Sequence, residues 1–323
     1  MLREPDNLAE RSGPERPAAH QERKAPGMKF RGIATRIIIV LGISGLLAGT
    51  AASWVLGSRL VRPLNRAVPL PAGFPAQVVS LPGPGHAIAG WWLDQGVNSP
   101  VVLLLHSIRA DRSSMISRAK LLSNHGFSVL LIDLQGHGET PGTAITLGAR
   151  EADDVRAALA WLKRTVPTRR LGVIGCSLGG AAVLLAPQPI GFDAVVLEAV
   201  YPRVAKAVEN RIRIRVGPLA PVLAPILLVQ LHPRLHVWPR DLEPIRSIAE
   251  LGSPVLVVAG SLDEHTTLAE SEELFGTAVP PKKLWVVRGA RHQDFLSFDP
   301  TGYESEVVGF LVRQLAAARQ TTG

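Results

Sequence analysis

Cysteine is almost missing from this chain. Cys176 stands alone among 323 residues, so no intrachain disulfide can form and cysteine usage says nothing about redox compartment. Aromatic rings are scarce too, with two Tyr and eight Phe. No Lys/Arg run interleaves with aromatics, despite a net charge of +8, so a nucleic-acid partner is not expected. A basic balance beside a membrane instead suits anionic lipid. The chain lacks a His-Glu-x-x-His, a pair of cysteines and an Asp-rich loop, which leaves no metal implied. It also lacks a G-x-G-x-x-G opening a first βαβ unit, which leaves no dinucleotide implied. A composition of 46% hydrophobic and 19% charged residues suits a packed core rather than disorder. The length accommodates one α/β domain of about 250 residues.

Charge is absent from Ile37 to Ser58, a run of 22 residues, about the length that a bilayer core requires. Residues 1–36 before it read as a disordered basic tail, polar and Pro-rich at first, with a second possible start at Met28. The apolar run is expected to be a transmembrane anchor or uncleaved signal at 37–58. Thr50-Ala51-Ala52 resembles a signal-peptide cleavage site, but Trp54-Val55-Leu56 continues the apolar run, which favours a retained single-pass anchor. Lys29, Arg31 and Arg36 precede it, and Arg59, Arg62 and Arg66 follow it. The positive-inside rule then places the N-terminus in the cytoplasm, weakly, and the folded domain outside it, in a periplasm-like space. Residues 59–76, with Pro63, Pro69, Pro71 and Pro75, read as a linker.

Beyond the linker, short β-rich runs alternate with helical stretches, the pattern of a mostly parallel sheet with crossover helices. Buried strands are expected at Val101–Leu105, Val129–Asp133, Leu171–Gly175, Ala194–Leu197, Val255–Ala259 and Leu284–Val287. An antiparallel entry pair is expected at Gln77–Leu81 and Gly90–Leu93. Helices are expected at Arg112–His125, Ala149–Thr165, Leu178–Ala186, Leu268–Ala278 and Tyr303–Ala318. Nearly sixty residues separate the strands ending at Leu197 and starting at Val255, too many for a simple connection. That stretch, about 201–250, is expected to form a helical cap over the carboxyl edge of the sheet within a domain spanning 77–319.

Gly175-Cys176-Ser177-Leu178-Gly179-Gly180 follows a strand and opens a helix, which is the context a G-x-S-x-G nucleophile elbow needs. Glycines flank the serine because a Cβ there would collide with the neighbouring strand and helix. Ser177 is thus the expected nucleophile, exposed at a helix N-terminus that favours developing negative charge. A nucleophilic serine needs a base, and the base needs an acid that orients it. The strand ending at Ala259 leads to Asp263, and the strand ending at Val287 leads to His292. The order Ser, Asp, His suits this fold. Glu264 and Glu198 are rival acids. His265 is a rival base that follows the acid too closely to reach Ser177. For the oxyanion hole, backbone N–H groups of Leu178 and Ile108 are expected, although Ser107 stands where a glycine often does. Asp133-Leu134-Gln135-Gly136-His137-Gly138-Glu139 reads as a tight, hydrogen-bonded turn that shapes the pocket wall. Cys176 reads as a packing residue, and Arg109 and Arg112 as solvated loop charges, with contact to an acidic substrate group as the alternative.

These segments, together with His106-Ser107-Ile108-Arg109-Ala110-Asp111-Arg112, Gly260-Ser261-Leu262-Asp263 and Gly289-Ala290-Arg291-His292, resemble the α/β-hydrolase superfamily over residues 77–318. More narrowly the chain is similar to bacterial membrane-anchored hydrolases related to the serine aminopeptidase and dienelactone hydrolase-like branches. The resemblance implies an α/β-hydrolase fold, a nucleophile at Ser177, an acid at Asp263, a base at His292 and no cofactor. The function expected is hydrolysis of a small-molecule ester by acyl transfer to water. A peptidase or amidase with the same machinery, or a catalytically silent membrane-bound binding protein, are the alternatives. The fold alone implies no particular substrate.

Overall fold

Strands that must be buried on both faces cannot alternate polar and apolar residues, and the central runs of this chain do not. A computed structural model of the chain describes residues 27–316. In it, β1 (Gln77–Pro82), β2 (Ala87–Leu93), β3 (Val101–Leu105), β4 (Ser128–Ile132), β5 (Leu171–Cys176), β6 (Ala194–Glu198), β7 (Val255–Gly260) and β8 (Lys282–Val287) form one eight-stranded sheet. The spatial order is β8-β7-β6-β5-β3-β4-β2-β1. β1 and β2 pair antiparallel, as do β2 and β4, and the remaining neighbours are parallel. Every residue of β3 through β7 is buried, as a parallel sheet with both faces covered requires.

Helices α2 (Ile116–Asn124), α3 (Glu151–Thr165), α4 (Leu178–Leu185), α8 (Leu268–Thr277) and α9 (Gly309–Ala316) flank the sheet. Two apolar cores result. Leu159, Leu162, Leu184 and Leu274 belong to one, and Ala119, Leu122, Leu311 and Leu315 to the other. The helix after β3 packs into the second core and the helix after β5 into the first, so these adjacent strands send their connections to opposite faces. This reversal leaves a crevice at their carboxyl ends, where open α/β sheets bind ligands.

Between β6 and β7 the expected cap is present. It comprises α5 (Val204–Val216), α6 (Ala220–Leu228) and α7 (Leu231–Leu235), followed by short 3₁₀ turns. The expected last helix is broken: Pro300–Tyr303, a π-helical stretch Glu304–Val308, then α9.

The chain divides into two compact units, Met1–Ala51 and Ala52–Gly323. The apolar helix α1 runs Gly27–Leu60 and therefore starts earlier than the expected boundary at Ile37. No proline interrupts residues 27–62, and Pro63 restricts the residue before it and stops the helix. Residues 1–26 of the expected disordered tail lie outside the described residues. Within α1, Thr35–Leu60 spans 26 residues with mean hydropathy 1.9, long and apolar enough to cross a membrane.

Residues 59–76, expected to be a linker, are instead built into the domain. Leu64–Asn65 pairs in parallel with His137–Gly138, and Arg66 pairs with Asp111 at 2.5 Å. Val68 and Phe74 enter the core, where Phe74 meets Trp91 edge-on with ring centroids 6.0 Å apart. Prolines made this segment look like a spacer, but extended proline-rich chain also supplies edge pairing and apolar anchors. Phe74→Ala is therefore expected to destabilise the domain by roughly 3 kcal/mol in chemical denaturation. A loss below about 0.5 kcal/mol would mean that the segment is only a tether.

Candidate functional site

The turn from β5 into α4 leaves no room for side chains. A Cβ on Gly175 would lie 2.5 Å from the Gly180 Cα, one on Gly179 2.6 Å from the Leu105 Cβ, and one on Gly180 2.3 Å from a Val200 methyl. Ser177 stands at the apex with φ 48° and ψ −105°, a strained conformation costing on the order of 1–3 kcal/mol. Its N–H donates to the Glu198 carbonyl at 2.8 Å, and its own carbonyl accepts from the Ala181 N–H at 3.0 Å.

Asp263 and His292, carried by the loops after β7 and β8, meet at the same edge. His292 Nδ1 lies 2.7 Å from Asp263 Oδ2, and because a carboxylate only accepts, the imidazole donates. The other oxygen of Asp263 accepts the N–H groups of His265 at 2.8 Å and Thr266 at 2.9 Å. Asp263 is thereby held by three hydrogen bonds. Ser177 and His292 line one cavity of about 340 Å³ at the crevice. No hydrogen bond joins the Ser177 hydroxyl to His292 among the described residues.

The rival residues are placed differently. Glu264 is exposed and pairs with Arg291 at 3.2 Å. Glu198 is buried and held by Arg118 at 2.7 Å and by the Tyr303 hydroxyl at 2.6 Å. Arg118 also pairs with Asp294. The Cys176 Sγ joins this network, 3.4 Å from Glu198. Burial and the adjacent carboxylate push the Cys176 thiol up, which suits a packing role. Arg118 and Tyr303 left no trace in the sequence pattern, because a lone arginine on an amphipathic helix reads as a solvated face. His265 lines the same cavity as His292, their ring centroids 5.0 Å apart. Its Nδ1 is buried without a partner, and burial first, then Arg211 and His292, hold its pKa below the usual value.

The two backbone N–H groups expected for an oxyanion hole are both unengaged among the described residues. That of Leu178 opens α4 and has no intrahelical acceptor. That of Ile108 makes no hydrogen bond. The loop does not need glycine at Ser107, since the left-handed position is Arg109, with φ 61°. The Arg109 N–H donates to His137 Nε2 at 3.1 Å, and Ala110 N–H closes the turn onto the Ser107 carbonyl at 3.1 Å.

The turn from Asp133 to Glu139 supports that loop rather than contributing to the cavity. Asp133 accepts the N–H groups of Arg112 at 2.7 Å and Glu139 at 2.8 Å. Arg112 is not a solvated charge. It is buried against Asp133 and Glu139, with its guanidinium 4.7 Å from the Trp91 ring. His106 and His137 are buried with ring centroids 5.0 Å apart. Each accepts a backbone N–H, from Leu134 and Arg109 respectively, and so must be neutral. Burial pushes both from the ordinary 6.5 down to about 4.

Between pH 6.5 and 4 the unfolded chain takes up a proton at His137 that the folded chain refuses. Its stabilising contribution is therefore full above pH 6.5 and lost as pH falls toward 4. His137→Gln is expected to lower stability most at pH 7.5, with the gap to the native chain narrowing by pH 4.5 in denaturant titrations. A gap independent of pH would contradict the neutral buried imidazole.

A sequence model of the family described as serine aminopeptidase, S33, matches residues 98–249, which contain Ser177, Leu178 and Ile108 but neither Asp263 nor His292. The uncharacterized protein Rv2307c of Mycobacterium tuberculosis is 34% identical over 232 residues, 70% of this chain and 74% of its own length. The uncharacterized protein YqkD of Bacillus subtilis is 23% identical over 231 residues, 70% of this chain and 76% of its own. Among solved structures, the Pyrococcus furiosus esterase Pf2001 superposes with a TM-score of 0.65 at 22% identity, covering 79% of this chain and 100% of that one, a likeness of fold. With an eight-stranded sheet, a tight Gly-x-Ser-x-Gly turn from strand to helix and a relative of this closeness, the chain belongs to the serine aminopeptidase S33 family of α/β hydrolases.

Proposed function

We propose that this chain is a membrane-anchored serine hydrolase that cleaves a carboxylic ester through Ser177, His292 and Asp263. The observation that carries the reading is the shared cavity: the strained Ser177 and the Asp263-bonded His292 line the same walls. His292 takes the proton of Ser177 as its oxygen attacks the carbonyl carbon, and later returns that proton to the leaving oxygen. The N–H groups of Leu178 and Ile108 receive the oxyanion, one such donor contributing about 3 kcal/mol. Asp263 holds the imidazole tautomer and stabilises its charged form. Water, deprotonated by His292, then releases the acid. Hydrogen bonds between serine and base commonly tighten only in the substrate complex, which accommodates the missing Ser177–His292 bond.

Two observations support an ester over an N-terminal peptide. A second cavity of about 180 Å³, lined mainly by apolar residues of the cap and of Leu60–Val61, adjoins Ser177. Recognition of a peptide's α-ammonium group calls for a free carboxylate, but Glu198 and Asp294 are both held by Arg118 and Asp263 by His292. Of the apolar α5–α6 residues, Leu227 and Leu228 line the apolar cavity, whereas Leu219, Val222, Leu223 and Ile226 face outward. The solved esterase of similar fold is consistent with this choice.

Steady-state hydrolysis of p-nitrophenyl esters tests the triad. Ser177→Ala is expected to lower kcat about 10⁶-fold and Asp263→Asn about 10⁴-fold, with medium acyl chains preferred over acetate. Undiminished turnover by Ser177→Ala, or none by the native chain, would overturn the assignment.

Anchoring by α1 rests on the apolar span, and the placement of the domain outside the cytoplasm on Lys29, Arg31 and Arg36 before it. The full chain is expected to stay in the membrane pellet after alkaline carbonate extraction, and alkaline phosphatase fused after Gly323 is expected to be active. Release by carbonate would refute the anchor, and an inactive fusion the orientation.

A further inference from the structure

Ile108, Ser177 and Arg211 are the three residues that line both the polar cavity and the apolar one. Ile108 and Ser177 belong to the chemistry proposed above. Arg211 comes from the cap, midway along α5, and the proposed reaction gives it no task.

Its surroundings do not satisfy it. The guanidinium donates one hydrogen bond, from Nη1 to the Ala207 carbonyl at 3.2 Å in its own helix. No carboxylate pairs with it among the described residues. The acidic groups whose fields reach it, Tyr201, Asp263 and Glu270, are bonded elsewhere: the Tyr201 hydroxyl to the Leu147 carbonyl, Asp263 to His292, and Glu270 to the Asn210 amide and the Thr267 N–H. Burial disfavours its charge. Three other cap arginines are treated differently. Arg213 pairs with Glu209 and Arg203 with Glu273. Arg234, in the wall of the apolar cavity, is occupied by Ser58, Gln230 and the face of Trp54. The remaining donors of this half-buried guanidinium are not sealed away, and they are open to a ligand in the cavities that it lines.

We propose that the substrate is a single-chain anionic amphiphile, whose apolar chain fills the cavity beneath the cap while an anionic group across the scissile carbonyl pairs with Arg211. The proposal rests on the ester-hydrolase reading and narrows it. Chain, carbonyl and anion follow one path, from the apolar cavity past Ser177 into the polar cavity, with Arg211 at the seam. The planar fork of a guanidinium suits bidentate capture of a carboxylate or a phosphate. The same charge repels a cationic substrate, in keeping with the absence of a free carboxylate in the cavity wall.

The test uses two esters that differ only in charge, the 4-(octanoyloxy)benzoate anion and the neutral 4-(octanoyloxy)benzamide. They are assayed on the full chain in detergent, each kcat/KM divided by the ester's own alkaline hydrolysis rate. The native chain is expected to favour the anion at least tenfold, mainly through KM. Arg211→Gln is expected to lower that ratio at least fivefold, and Arg211→Lys to restore part of it. A ratio is read because a merely structural defect would slow both esters alike. Equal turnover by the native chain, or a preference that survives Arg211→Gln, overturns the assignment to Arg211 alone. Turnover of neither ester overturns this inference and the ester-hydrolase reading together.

Discussion

The close approach between the end of β5 and the start of α4 is the constraint on which the site depends. Three glycines let a strand and a helix meet where any Cβ would collide, and the chain turns between them at a serine held in the left-handed region. Everything that surrounds Ser177 follows from that turn. Its hydroxyl is presented at the carboxyl edge, where β3 and β5 send their connections to opposite faces of the sheet. The first N–H of α4, that of Leu178, is left without an acceptor beside it. The hydrogen bond from the Ser177 N–H to Glu198 ties the strained turn to the neighbouring strand, so the cost of strain is met by the surrounding sheet.

Charge is arranged around this turn with few loose ends. Glu198, Asp294 and Arg118 satisfy one another in the wall of the cavity that Ser177 also lines, with Tyr303 completing the set. Asp263 is shared between one imidazole and two backbone donors. The loop of residues 107–110 is braced by His137, a neutral acceptor, and the turn from Asp133 to Glu139 by the buried Arg112. A charged His137 could not accept the Arg109 N–H, so desolvation of that histidine and the shape of the loop are one physical fact. Against this background Arg211 stands out, since the cap brings a cation to the seam of two cavities and leaves it without an anion.

Much of this was legible in the sequence because it rests on local pattern. Strand ends at Leu105, Ile132 and Val287 could be placed within a residue since buried parallel strands are continuous apolar runs. Gly-x-Ser-x-Gly between such a strand and a helix pointed to Ser177, and counting outward to the next strand ends pointed to Asp263 and His292, which the structure joins by a hydrogen bond. What escaped is what depends on tertiary contact. Pro63 to Pro75 looked like a spacer because prolines break local patterns, yet Val68 and Phe74 are core residues. Arg112 looked like a solvated charge because its carboxylate partners, Asp133 and Glu139, are distant in sequence. His265 was set aside for being too near Asp263, but the turn that caps Asp263 carries the ring into the cavity. Part of the apolar cap proved to face outward, since helical periodicity does not tell which face meets the sheet.

The central claim is that Ser177 is an activated nucleophile. Treatment of the full-length chain with a fluorophosphonate, followed by peptide mass spectrometry, reads this directly. The account predicts a single phosphonylated peptide with the adduct on Ser177, formed more slowly when His292 is replaced by Ala. An adduct on another residue, or none at all on folded protein, would contradict it.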